Sequence, residues 1–151
     1  MLRVILVSAL LVGVYSESVT YKSCREPARN CVVSAVSIDP CPESATKSPC
    51  KLKRGKTAKL TVDFTPDFDA EKIDGRWYWE NGSTDLPLIG IETNGCSYTT
   101  CPLKKGQKQQ YNFDLDINRR WPTQTFDIKL KITGDTPDKE CCLVTAIKLT
   151  R

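Results

Sequence analysis

Across residues 57–65 every second side chain is apolar: Ala58, Leu60, Val62 and Phe64 alternate with Thr57, Lys59, Thr61, Asp63 and Thr65. Successive side chains of a strand point to opposite faces, so this period of two describes a strand with one buried and one wetted face. The pattern recurs in Tyr111, Phe113, Leu115 and Ile117, spaced by Asn112, Asp114 and Asp116, and in Phe126, Ile128, Leu130 and Ile132, spaced by Asp127, Lys129 and Lys131. Weaker strands are predicted at 19–23, 32–38, 73–79, 86–91 and 143–149. Turn-forming pairs fall between them: Asp39-Pro40, Arg54-Gly55, Asn81-Gly82, Asn94-Gly95, Lys105-Gly106 and Gly134-Asp135. No stretch holds a helical period, so helix should be sparse. Seven or eight antiparallel strands of this kind predict an all-β, two-sheet sandwich.

The chain opens with Arg3, an apolar run from Val4 to Val14 and the small Ser16. That is the layout of a signal peptide over residues 1–16, too short for the roughly 20 residues of a membrane span. Cleavage is expected after Ser16, leaving residues 17–151 as one domain in an oxidising compartment. There the eight cysteines should be disulfides. A zinc site is not expected, because the chain has neither a Cys-x-x-Cys motif nor a histidine. Cys41 and Cys50, and Cys96 and Cys101, are close enough to close small rings. Cys24 and Cys31 then face the adjacent Cys141 and Cys142, which point to opposite sides of a strand; which of the two joins Cys24 stays open.

Without Arg3 the chain carries 21 basic and 18 acidic side chains, a net charge of +3 that does not imply nucleic acid. Lys51, Lys53, Arg54 and Lys56, with Lys104, Lys105 and Lys108, read as solvated loop faces or as a transient contact for anionic lipid headgroups. An enzyme is not expected: no histidine is present to act as a base, the thiols are consumed by bridges, and Asp114 and Asp116 face water. Asn81-Gly82-Ser83 fits the glycosylation rule and also reads as a hairpin turn.

Taken in order, Tyr21-Lys22-Ser23-Cys24, Val36-Ser37-Ile38-Asp39-Pro40-Cys41-Pro42, Pro49-Cys50-Lys51-Leu52-Lys53-Arg54-Gly55, Asn94-Gly95-Cys96, Cys101-Pro102-Leu103-Lys104-Lys105-Gly106 and Ile132-Thr133-Gly134-Asp135 resemble the ML lipid-recognition family. That family includes the Niemann-Pick type C2 sterol carriers and the mite group 2 allergens. The resemblance covers essentially all of residues 17–151. It implies an immunoglobulin-like sandwich whose sheets splay to admit a lipid into an apolar cavity, with bridges Cys41–Cys50, Cys96–Cys101 and one from Cys24 to a terminal cysteine. Cys31 and the doubled terminal cysteine depart from the family's three bridges. The carrier-like register of Leu143, Ile147 and Leu149 favours Cys24–Cys142 and Cys31–Cys141; the mite-like register would swap them.

The resemblance also implies a site. The stretch Ile117-Asn118-Arg119-Arg120-Trp121-Pro122 matches a segment that sets an apolar side chain and an aromatic ring on the ligand, naming Ile117 and Trp121. Leu86-Pro87-Leu88 matches the pocket mouth and names Leu88, a leucine where the sterol carriers have phenylalanine. Val62, Phe64, Trp77, Trp79, Tyr111, Phe113, Phe126, Ile128 and Leu130 would line the interior, Phe126 as a core aromatic. The expected function is that of a secreted monomer that carries a sterol, fatty acid or related lipid without a cofactor, meets a membrane or receptor transiently, and stays extracellular or reaches lysosomes. The alternative is a lipid-sensing immune co-receptor or a solid immunoglobulin-like interaction domain.

Overall fold

The alternation resolves into strands in a computed structural model that describes residues 18–25 and 28–151. The expected leader and its cleavage point lie outside these residues. Among them the strands are β1 (Tyr21–Ser23), β2 (Cys31–Asp39), β3 (Cys50–Lys53), β4 (Thr57–Pro66), β5 (Asp74–Asn81), β6 (Thr84–Pro87), β7 (Gln109–Asp116), β8 (Thr125–Thr133) and β9 (Glu140–Thr150), with short 3₁₀ turns at Pro42–Thr46 and Gly95–Ser97. They form two packed sheets. The larger runs β1-β9-β8-β5-β6, and β3 also pairs with β9; the smaller runs β2-β4-β7. Every pairing is antiparallel except that of β3, which lies parallel to β9 with Cys50 opposite Ile147.

The apolar halves of the repeats meet between the sheets. Leu60, Val62 and Phe64 of β4 and Tyr111 of β7 face Trp77 of β5 and Ile128, Leu130 and Ile132 of β8, all at most 2% exposed. The strand expected at 86–91 is shorter and earlier. A two-residue turn at Gly82 and Ser83 pairs Asn81 with Thr84, and β6 stops at Pro87, which has no N–H to extend the ladder. β3 is a strand that local reading left as loop.

Disulfides and hydrogen bonds close the long edges of the sandwich. Cys31 of β2 bonds Cys141 of β9, joining the two sheets directly, while Cys24 bonds Cys142 within the larger sheet's edge. Cys41–Cys50 and Cys96–Cys101 complete the set. On the same edge as Cys31, Val19 N–H donates to the Val36 carbonyl at 2.7 Å and the Tyr21 hydroxyl to the Val33 carbonyl at 2.9 Å. On the opposite edge the chain after β6 laces β5 to β7: Gly75 N–H donates to Thr93, Gly95 N–H to Ile73 and Asn112 N–H to Tyr98.

Candidate functional site

The expected site residues divide into an interior set and a set at one end of the sandwich. Strand register orders the interior. Phe64, Val62, Leu60 and Ala58 of β4 lie opposite Gln109, Tyr111, Phe113 and Leu115 of β7. From the other sheet the Trp77 ring stacks on Phe113, centroids 5.2 Å apart. One step deeper, Tyr111 lays its hydroxyl against Gly75, where a Cβ would stand 2.4 Å from the oxygen. Gly75 is thus the space that admits Tyr111. Ile128 is fully buried, and Leu88, 7% exposed, is tied by its N–H to the Trp77 carbonyl at 2.9 Å.

Two polar atoms interrupt this apolar interior. Tyr111 Oη and Trp77 Nε1 are buried without a hydrogen-bond partner. Burial drives the Tyr111 phenol well above its ordinary pKa, so it remains a neutral donor. Tyr98, which the alternation could not reveal because it sits in the irregular Cys96–Cys101 loop, packs on Tyr111 at 5.3 Å and on Phe113 at 5.5 Å.

Trp79, Trp121 and Phe126 gather at the end where β7 and β5 finish. Trp79 meets Trp121 at 4.9 Å with ring planes 89° apart, and Phe126 at 4.8 Å. All three rings are half-buried. Phe126 is therefore not the enclosed core aromatic expected from β8: it stands at the start of that strand, half-buried and packed against the edge of the core. Ile117 is buried below, its N–H donating to the Lys56 carbonyl. The Trp121 loop is held by its own turn to Asn118 and by Arg54, whose guanidinium donates to the Trp121 carbonyl at 2.9 Å.

These rings line a groove of about 650 Å³ with Glu80, Asn81, Leu86, Pro122, Gln124, Thr125 and Asp127. Leu86 was not among the expected site residues, yet counting outward from the Gly82-Ser83 turn sets it opposite Trp79. A second groove of about 520 Å³, beside Cys24 and Cys31, has Lys22, Arg25, Arg29, Asp138 and Glu140 on its walls. An apolar tail there would strip water from charged groups at a cost that few contacts repay. At the aromatic end three rings and Leu86 stand beside the polar side chains of Glu80, Asn81, Gln124 and Asp127.

The chain matches the ML-domain profile over residues 18–149. It belongs to the ML-domain family. This ML-domain protein is 29% identical over 138 residues to the MD-2-related lipid-recognition protein of Manduca sexta, covering 89% of this chain and 87% of that one. It is 25% identical over 135 residues to the NPC intracellular cholesterol transporter 2 of Bos taurus, covering 89% and 87%. The crystal structure of a Niemann-Pick type C2 protein from Japanese carpenter ant superimposes with a TM-score of 0.75 at 18% identity, over 87% of this chain and 99% of that one. That likeness is one of fold.

Proposed function

We propose that this ML-domain protein is an exported lipid carrier that holds one sterol, fatty acid or related lipid non-covalently between its sheets, admitting it at the Trp79–Trp121–Phe126 end. The observation that carries this reading is the half-buried aromatic cluster packed against the apolar interior, at an end of the sandwich where Cys41–Cys50 ties the β2 side and, among the described residues, no disulfide ties the side of the three rings. Cys31–Cys141 and Cys41–Cys50 both tie the β2 edge to the larger sheet and the laced 88–98 segment holds the other edge, so the stretch between them at the end of β7, where the three rings meet, is the part a guest can enter. Relatives named for lipid recognition and cholesterol transport support it. Four disulfides suit an extracellular protein.

Covering several hundred Å² of apolar ligand at ~25 cal/mol per Å² gives a gross gain on the order of 10 kcal/mol. Association and side-chain ordering remove several of these, leaving micromolar or tighter affinity. The named site residues have graded parts. Trp121, Trp79, Phe126 and Leu88 contact the guest near the mouth, Ile117 forms the floor, and Trp77, Tyr111, Phe113, Phe64 and Ile128 line the depth. Solvent extraction of the purified protein followed by mass spectrometry should recover a stoichiometric lipid, and a titrated panel of sterols, fatty acids and lysolipids should quench tryptophan emission at 1:1. A panel without binding below about 100 μM, two decades short of the expectation, overturns the carrier in favour of a solid interaction domain.

A further inference from the structure

Asn81-Gly82-Ser83 is the chain's one Asn-x-Ser/Thr sequence, and its position in the fold ties it to the groove. It forms the tip of the β5–β6 hairpin, with Asn81 paired to Thr84 and Gly82 in the left-handed region at φ 60°. Residues 81–84 are exposed, and a Cβ built on Gly82 meets nothing within 4 Å, so a transferase has free approach. Two residues along a strand return a side chain to the same face, which sets Asn81 beside Trp79. Asn81 accordingly lines the aromatic groove with Trp79, Trp121 and Phe126. Leu86, directly opposite Trp79, is 49% exposed, an apolar surface left uncovered next to the acceptor amide.

We propose that Asn81 carries an N-linked glycan whose first sugars lie over Leu86 and Trp79 and partly cover the groove. In the exporting compartment the co-reactant is an oligosaccharide linked to a lipid pyrophosphate. The Asn81 amide nitrogen bonds to C1 of the first sugar, the C1–oxygen bond to pyrophosphate breaks, the lipid pyrophosphate leaves with that electron pair, and the amide proton passes to the transferase's base. No electron is gained or lost. The glycan's effect on lipid access rests on the carrier reading; its attachment and its cover over the rings do not.

The test uses the full chain secreted from a eukaryotic host, untreated, after glycosidase removal of N-glycans in ¹⁸O water, and as Ser83→Ala, which abolishes the acceptor sequence without touching a groove-lining residue. The Asn81 peptide should be glycosylated and become ¹⁸O-labelled aspartate on treatment. Trp79 and Trp121 line the groove whereas Trp77 is 2% exposed. If the glycan covers the groove about nine-tenths of the time, its loss should raise acrylamide quenching about twofold and the association rate of a fluorescent polyene fatty acid about tenfold. An unmodified Asn81 peptide, or equal quenching in glycosylated, deglycosylated and Ser83→Ala protein, overturns the proposal. A probe that binds none of the forms condemns the carrier reading instead, and quenching then decides this one alone.

Discussion

Trp79 and Trp121 meet edge to face at 4.9 Å although one stands on β5 of the larger sheet and the other on the loop leaving β7 of the smaller. The contact is a clasp between the sheets, so on the proposed carrier reading its residues act on ligand and on sheet separation together. Replacing Trp121 by alanine should weaken lipid binding at least ~10-fold, or ~1.4 kcal/mol. Because the ring is half-buried, the apo protein should lose only about 1–2 kcal/mol, most of it the edge-to-face contact and its area. Phe126→Ala should behave likewise, since it shares the groove. Leu60→Ala, in contrast, removes a fully buried side chain outside the named site and should cost ~2–5 kcal/mol with or without lipid. Urea unfolding and tryptophan-quench titration on the same three variants check this; unchanged lipid affinity in Trp121→Ala removes the ring from the site.

Tyr111 and Gly75 should be energetically coupled. A methyl group at residue 75 would stand 2.4 Å from Tyr111 Oη but 3.1 Å from the next ring carbon. Gly75→Ala should therefore destabilise the wild type by more than it destabilises Tyr111→Phe, a coupling of ~1 kcal/mol or more in a double-mutant cycle. Tyr111→Phe alone should be neutral or slightly stabilising, because it removes a buried hydroxyl that has no partner. A large loss in apo Tyr111→Phe would reveal an unseen partner for that hydroxyl.

The bridges should differ in what they contribute. Cys31–Cys141 spans 110 residues of sequence and Cys41–Cys50 spans 9. On the chain-entropy model their paired removal costs ~4–5 and ~2–3 kcal/mol respectively. Denaturation midpoints of the two double-alanine variants measure the gap, and equal losses would show that native-state contacts, not loop closure, set the value of these bridges.

Stability should fall in acid through Asp85. On the outer face of the larger sheet Asp85 accepts from Lys129 at 2.7 Å and pairs with Lys131 at 3.3 Å. The hydrogen bond from Lys129 outweighs burial and, with Lys131, holds the Asp85 carboxyl below its usual range. A carboxylate whose folded pKa lies below its unfolded value of ~3.9 stabilises the fold fully above that value, and loses the contribution as pH falls through the folded one. Urea midpoints measured from pH 7 to pH 2 should decline below about pH 4. Asp85→Asn should start lower at pH 7 and decline less; parallel curves for the two proteins would acquit this residue.

Strand content and sandwich class were legible locally, since alternation in residues 57–65 and 125–133 reports burial without reference to any other segment. The family too could be read from the spaced cysteine, proline and glycine motifs, because those residues dictate turns and bridges where they stand. Less was legible in the site. Leu86 could have been found from the hairpin turn, whose two-residue loop sets the register opposite Trp79. Tyr98 could not, because an irregular loop has no period to betray which way a ring points.

What the sequence by itself determined is which side of each strand is apolar, where the chain turns, and which cysteines close small rings, all interactions between near neighbours. Only the tertiary structure decided that β3 joins β9 in parallel, that Cys31 crosses from one sheet to the other, and that Trp79, Trp121 and Phe126 share one groove while Phe113 and Trp77 stack within. Those choices belong to sheet packing, where the offset of one sheet on the other sets which rungs meet. A period of two is the same for every such offset, so it carries no record of the one adopted.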